Sequence, residues 1–537
     1  MKIAGKHIWY ALAVLFLNLG LLALPAWRGI IDPWVLHGEW CLSCIALVWL
    51  GSQRQNLRWA LMTLSFLLFL FLQLYQLFSI SLYASLPNYY NDWVLLWEVV
   101  PIFMAEFHVG KLVQFLPALL GAVIGLGALL WLGKKISRLN IEADWRWTLG
   151  LTLALLIGSF WKSGPRVIWN IWPVSYGIQS SLSLSEQLAA EDIDRSYAAF
   201  HEIELPQKPD VYLLFIESYG SLLMQSPELR PVYEALLREL ELDLYAAGWQ
   251  MASRHSIAPI SGGRSWLSFT SLMMGQKIAW HPYYNRLIND FSDAPHMVRF
   301  FNAQGYQTWR MTTLGSNPEL DKRIPYDAYE RFFAFDHWMR YQDFPYAGPV
   351  YSKFGSIPDQ FAMYHFAEEM AIDTTQPKFL FFITLNSHSP WYATPPLVQD
   401  WRKLNQQHVF DNYSIHEAAV SEGLKFRTYF DAMRYELQLM ARFIREKGGE
   451  NSVFVLVGDH QPPFLTRHTM GMQSPLHLIS RDAGLIQFTK EAGFREGLHP
   501  GEAQEDDFKH EDFYPFFIQG LQQMNAPDSI DLQHPDQ

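Results

Sequence analysis

The sequence predicts an N-terminal bundle of five transmembrane helices followed by an external α/β domain with a mostly parallel sheet and helices on both faces. Three observations predict it. Apolar residues crowd into the first third of the 537 residues, although the chain as a whole is 50% hydrophobic. Basic residues fall on alternate loops between the apolar segments. Beyond Lys208, short apolar runs that end in candidate metal ligands alternate with helix-like stretches. A chain of this length exceeds one domain. Its composition divides it into a transmembrane domain over 1–162, a juxtamembrane linker or interfacial helix over 163–207, and the external domain over 208–537.

The apolar segments run over Ile8–Trp27, Trp34–Leu50, Trp59–Leu82, Val113–Leu132 and Trp147–Trp161. A helix needs roughly 20 residues to cross a hydrocarbon core. The fifth segment is short, and Trp145 and Trp161 beside it suit the aromatic belts at the two interfaces. A cleaved signal peptide would also open on an apolar stretch, but four further segments follow. Lys2 and Lys6 precede the first segment, and Arg54 and Arg58 separate the second from the third. Lys134, Lys135, Arg138 and Arg146 lie between the fourth and fifth, whereas the opposite loops carry Arg28 and Lys111. The positive-inside rule then puts the N-terminus in the cytoplasm and everything after Trp161 outside. Next come Ile168, Trp169, Ile171 and Trp172, which read as a stretch lying flat on the outer leaflet.

A net charge of −12 and the lack of any basic tract exclude a nucleic-acid or generic polyanion partner. The only cysteines, Cys41 and Cys44, sit inside the second segment. Their C-x-x-C spacing allows a redox pair, but in an apolar span two small buried residues are the simpler reading. The external domain has no cysteine and must stand without disulfides. Glu39 falls within a predicted span, where a carboxylate is costly and invites a functional explanation. Glu98 and Glu106 read as members of a wet external loop.

In the external domain, Val211–Ile216 runs into Glu217, Phe379–Leu385 into Asn386-Ser387-His388, and Val453–Val457 into Gly458-Asp459-His460. Short β-branched and aromatic runs of this kind read as strands buried on both faces. Tyr306–Met311 reads as another, and Pro231–Ala246 and Tyr429–Lys447 as amphipathic helices. Ligand sites in open α/β sheets lie beyond the carboxyl ends of the strands, so these polar residues should meet at one edge. Between them, Ser261-Gly262-Gly263-Arg264-Ser265 precedes Trp266, Phe269, Leu272 and Met273 at helical spacing. Ser265 then opens a helix, where backbone N–H groups favour an anion; an ordinary capping serine is the plain alternative.

Five stretches in order, PDVYLLFIES, GGRSWLSFTSLMMG, FNAQGYQTW, TLNSHSPW and FVLVGDHQPP, resemble landmarks of the alkaline phosphatase/sulfatase superfamily. Within it they resemble the membrane-anchored lipoteichoic-acid-synthase-like phosphoglycerol transferases, and the resemblance covers both halves of the chain. It implies a sulfatase-like catalytic domain with Glu217, Asp459 and His460 as ligands of one divalent metal and Ser265 as fourth ligand and nucleophile. It implies His388 as a substrate-side group acting on phosphate or as an acid–base, with Trp391 and Arg323 toward the substrate. Mn²⁺ is the metal expected, with Zn²⁺ or Mg²⁺ open on ligand identity.

The implied reaction moves phosphoglycerol from phosphatidylglycerol to a glycan or lipid hydroxyl, at a bacterial cytoplasmic membrane with the catalytic domain outside. Phosphoethanolamine transfer uses the same core, and His468 or His477 would supply its extra phosphate contacts. Two departures stand out: Ser265 replaces the family's threonine, and TTLGSNPELDKR after Tyr306 lacks the family's pocket histidine. A formylglycine sulfatase is disfavoured, because Ser265-Trp266-Leu267-Ser268-Phe269 lacks the Pro and Arg that its maturation needs. A non-catalytic sensor would have lost a ligand position, and all four are filled.

Overall fold

The structure is a computed structural model. It describes residues 10, 12–22, 36–49, 54–83, 85–95, 125–135, 153, 167–168, 171–190, 192–315, 325–351, 355–370, 375–391, 394–406, 422–463, 465–466 and 470–524. The chain forms two compact units, Met1–Ser185 and Glu186–Gln537.

In the first unit a 29-residue helix spans Gln55–Tyr83, about 43 Å at the usual rise per residue. Its stretch Gln55–Ile80 is long and apolar enough to cross a membrane, the one such helix among the described residues. Leu64, Phe71 and Phe78, seven residues apart, are 64%, 65% and 60% exposed. Water would penalise so long an open apolar stripe.

The predicted span Trp34–Leu50 is described over residues 36–49. Among these, Leu36–His37 pairs in parallel with Val167–Ile168, and Gly38–Val48 is a short apolar helix. Those eleven residues reach about 16 Å. Polar residues mark the start of this helix: the His37 side chain accepts from Trp40 N, while the His37 backbone N–H donates to Asn18 Oδ1 at 2.7 Å. Glu39 Oε1 accepts the N–H of Ile171 at 2.8 Å, at the start of the helix Ile171–Ala189. Glu39 therefore caps a helix. Cys41 and Cys44 are free thiols buried among Leu17, Leu21, Trp40 and Met62, as the plain reading had it.

Leu12–Leu22 is a short apolar helix. Val113–Leu132 is described only from residue 125, and Trp147–Trp161 lies outside the described residues apart from residue 153, as do Glu98 and Glu106. On helix Ile171–Ala189 the residues Ile171, Trp172, Tyr176, Ile178 and Leu182 are exposed while Leu184 is buried.

The second unit is built on one nine-stranded sheet. Its strands are β1 (Asp210–Ile216), β2 (Gln250–Ile257), β3 (Gln307–Met311), β4 (His337–Met339), β5 (Lys378–Ile383), β6 (Ser452–Gly458), β7 (Gln473–Ser480), β8 (Arg495–Glu496) and β9 (Phe508–Lys509). The spatial order is β8-β2-β7-β6-β1-β5-β3-β4, with β9 beside β2. From β6 through β4 five neighbours run parallel, whereas β7 is antiparallel to both β6 and β2. The sheet is thus mixed, with a parallel centre of the kind the sequence predicts. The antiparallel side escaped the sequence reading because Ser253, Arg254, His255 and Ser256 interrupt any apolar run in β2.

Both faces are covered. Tyr212, Leu214 and Ile216 of β1 pack with α1 (Arg230–Ala246), α2 (Asp359–His365) and α3 (Glu422–Lys447). Val211, Leu213 and Phe215 pack on the other side. That layer includes Leu267, Phe269, Leu272 and Met273 of the helix Ser265–Met274 and the helix Phe513–Gln522. Period-two alternation with both sets buried is what near-continuous apolar strands dictate.

Candidate active site

The carboxyl ends of β1 and β6 lie side by side, with Ile216 opposite Gly458. A Cβ on Gly458 would collide with the Tyr219 carbonyl oxygen and the Ser474 side chain, so only glycine lets the two strand ends approach this closely. Beyond them Glu217, Asp459 and His460 meet, all buried, with one ligand atom from each within 4.8 Å of the others. His460 Nε2 is 3.2 Å from Asp459 Oδ2 and 3.6 Å from Glu217 Oε1.

Ser265 comes from the opposite side, at the first position of its helix. The turn before it holds Gly263 at φ 59° and Arg264 at φ 60°, so a left-handed step falls on a residue with a side chain. Such a step costs about 1–2 kcal/mol outside glycine. Ser265 Oγ donates to Glu217 Oε2 at 2.9 Å and stands 3.3 Å from His460 Nε2.

The hydrogen bonds fix the character of each group. His460 Nδ1 faces the Gln461 carbonyl oxygen at 2.9 Å; that nitrogen carries the proton, which leaves a lone pair on Nε2. Glu217 and Asp459 also present lone pairs toward it, and Asp459 Oδ2 is buried without a hydrogen-bond partner. Three ligand atoms converging on one buried point fit a cation. Burial pushes the Glu217 carboxyl up, but His388 and His460 nearby outweigh it and hold the group down at about 2. Burial and the adjoining Glu217 carboxylate push Asp459 well up. Burial lowers His460 below the ordinary imidazole range. Two carboxylates this close cannot both ionise cheaply without a positive charge between them. A mixed oxygen and nitrogen set suits a divalent cation such as Mn²⁺, Zn²⁺ or Mg²⁺.

The rival hydroxyls are engaged or buried. Ser268 Oγ donates to the Asp459 carbonyl oxygen at 2.5 Å, and Ser271 Oγ donates back to the Leu267 carbonyl oxygen at 2.7 Å. Ser261 and Thr270 are buried away from solvent. His388 is half-buried on the loop after β5, close enough for its charge to act on Glu217. Trp391 is half-buried: its Nε1 donates to the Ser387 carbonyl oxygen at 2.7 Å and its ring meets Tyr429 edge-on. Arg323 and His468 lie outside the described residues. His477 is buried on β7, bonded to Tyr219 Oη at 2.9 Å and Ser253 Oγ at 2.7 Å. Both ring nitrogens are taken up by that network.

Sequence reasoning missed Ser218 and Thr384. Ser218 adopts φ 62°; its N–H donates to Asp459 Oδ1 at 2.8 Å and its hydroxyl to Glu217 Oε1 at 3.0 Å. Thr384 Oγ1 accepts the Glu217 N–H at 3.0 Å. No local pattern marks Ser218, because a left-handed serine is set by the tertiary contacts around it.

Residues 261–518 match the family model described as Sulfatase. No curated protein matches the chain in sequence. Among solved structures, the membrane protein lipooligosaccharide phosphoethanolamine transferase A from Neisseria meningitidis is similar over 87% of this chain and 88% of its own, with 12% identity and a TM-score of 0.46. The lipoteichoic acid synthase LtaP from Listeria monocytogenes is similar over 62% of this chain and 79% of its own, with 12% identity and a TM-score of 0.35. The periplasmic domain of EptC from Escherichia coli, in complex with Zn, covers 60% and 87%, with 14% identity and a TM-score of 0.36.

Proposed function

We propose that this chain, whose residues 261–518 match the Sulfatase family model, is a membrane-anchored phosphotransferase that moves a phosphoglycerol headgroup from phosphatidylglycerol to a glycan or lipid hydroxyl. The observation that carries this reading is Ser265 Oγ at a helix N-terminus, bonded to Glu217 and facing His460. Glu217, Asp459, His460 and Ser265 would hold one divalent cation, Mn²⁺ in our assignment. When bound, such a cation lowers the pKa of a serine hydroxyl and neutralises phosphoryl charge.

The chain's own residues account for the rest. The Ser265 proton already points at a carboxylate oxygen, so Oγ is ready to form the bond to phosphorus. The phosphorus–oxygen bond to diacylglycerol breaks, and His388 would give the departing oxygen its proton. Backbone N–H groups at the start of the Ser265 helix favour the developing negative charge. In the second half the deprotonated His388 would take the proton of an acceptor hydroxyl as its oxygen attacks the seryl phosphodiester. Ser265 Oγ would leave and recover its proton from Glu217.

The proposed layout is a transmembrane domain over 1–162, a juxtamembrane linker over 163–207 and a catalytic domain over 208–537 on the outer side of a bacterial cytoplasmic membrane. The open apolar stripe on Gln55–Tyr83 and the exposed Ile171, Trp172 and Tyr176 support it. Anchoring places the serine beside a lipid donor and supplies proximity. Phosphoethanolamine transfer is the second reading, since the same serine and ligand set serve it. The commitment of His477 to the protein interior and the absence of cysteine after Cys44 favour phosphoglycerol. Diacylglycerol release from vesicles of phosphatidylglycerol and of phosphatidylethanolamine tests the choice. Faster release from phosphatidylglycerol is expected; release from phosphatidylethanolamine alone would reverse it.

A further inference from the structure

Behind the His388 loop lies a second pair of carboxyl groups that the reaction does not use directly. Asp359, the first residue of α2, is fully buried. Its Oδ2 accepts the N–H of Leu385 at 2.9 Å and of Asn386 at 2.8 Å, and its Oδ1 accepts the Thr313 hydroxyl at 3.0 Å. The bond is reciprocated, for the Asp359 N–H donates to Asn386 Oδ1 at 2.7 Å. Asp359 thereby fixes two consecutive peptides of the loop that runs from β5 to His388.

The same loop reaches the cation-type cluster. Thr384 Oγ1, which takes the Glu217 N–H, is 2.9 Å from Ser387 Oγ. One rigid loop therefore sets both the Glu217 backbone and the approach to His388.

Glu436 of α3 faces Asp359 from the other side and is also fully buried. Neither of its carboxyl oxygens makes a well-formed hydrogen bond; the Ser387 N–H is the one donor that acts on it, and weakly. Burial and the Asp359 carboxylate push Glu436 well above the usual carboxylate range, and burial pushes Asp359 up to about 6. The other titratable group against the pair is Tyr435, kept neutral by burial and by both carboxyls. An ionised Glu436 would be a buried charge beside a like charge with little more than the Ser387 N–H to offset it, which is costly. A protonated one has an obvious acceptor.

We infer that Asp359 and Glu436 share one proton, with Glu436 as the neutral acid donating to an Asp359 carboxylate, and that this pair positions the loop carrying Thr384 and His388 for phosphoryl transfer. Both are positioning residues; neither touches substrate. The inference rests on the proposed reaction for its kinetic consequence and on the geometry alone for the shared proton.

The experiment compares the full-length protein with Glu436→Gln, Glu436→Leu and Asp359→Asn. Infrared spectra at neutral pH should contain a protonated-carboxyl carbonyl band that Glu436→Gln removes. In vesicles of phosphatidylglycerol, Glu436→Gln should keep kcat within about threefold, because an amide still donates to Asp359 at every pH. Glu436→Leu should lower kcat by about 10- to 100-fold with KM little changed, the usual cost of a small misplacement of reacting groups. Asp359→Asn should do the same, since an amide offers one acceptor where the loop needs several. A band that survives Glu436→Gln, or Gln and Leu variants with equal activity, overturns the inference. If the wild type is inactive on every phospholipid, the transfer reading fails by itself and the infrared result decides the pair.

Discussion

Ser265 is worth more than its neighbours because of what its oxygen touches. Ser261, Ser268, Thr270 and Ser271 are hydroxyls of the same stretch, yet only Ser265 bonds the Glu217 carboxylate and faces His460. Ser265→Ala should therefore abolish headgroup transfer, measured as diacylglycerol release, while the melting temperature stays near wild type. Glu217→Ala, Asp459→Ala and His460→Ala should each lower divalent-metal occupancy, measured by elemental analysis, and remove activity with it. His388→Ala should slow turnover by about 10²–10⁴-fold, the range for an acid–base group. Full activity would place His388 outside the reaction. These residues were legible in the sequence because each closes an apolar strand or opens a helix. Ser218 and Asp359 were not, since a left-handed serine and a buried aspartate at a helix start carry no local signature. Their roles depend on residues 241 and 27 positions away.

At the scale of elements, the site depends on how closely β1 and β6 approach. Gly458→Ala would drive a methyl group into the Tyr219 carbonyl oxygen. It should cost about 1–3 kcal/mol, as overpacking does, read from chemical denaturation, and weaken metal binding at Asp459 beside it. The Asp359–Glu436 contact between α2 and α3 has a pH consequence. Glu436 is raised by folding, so above its ordinary value of 4.5 the unfolded chain gives up a proton that the folded chain keeps. Its contribution to stability is thus complete at acid pH and declines as pH rises. Glu436→Gln removes that slope, so its melting temperature should gain on wild type from about pH 5 to about pH 8. A constant difference would show that Glu436 ionises equally in both states. The parallel strands and long helices were readable from unbroken apolar runs and from helical spacing. Strand β2 was not, because its buried Ser253 and Ser256 are hydrogen-bonded by His477 and His510, far away in sequence.

For the molecule as a whole, the sequence spoke more clearly about chemistry than about the membrane. The Lys and Arg asymmetry predicts that a reporter fused after Arg138 is cytoplasmic and one fused after Lys208 external. A cytoplasmic signal after Lys208 would defeat lipid-headgroup transfer outside the cell. Hydropathy read Trp34–Leu50 as a span, yet His37 and Glu39 find polar partners in Asn18 and in the start of Ile171–Ala189. Those partners sit at the start of the helix Gly38–Val48, and a window average conceals them. The central claim is that Ser265 takes a phosphoglycerol group from a lipid. Its most direct test is the intact mass and peptide map of the purified protein after brief incubation with phosphatidylglycerol and, separately, with phosphatidylethanolamine. A phosphoglycerol adduct on Ser265, lost in Ser265→Ala, is the expected result. An adduct on another residue, or on Ser265 only from phosphatidylethanolamine, would contradict it.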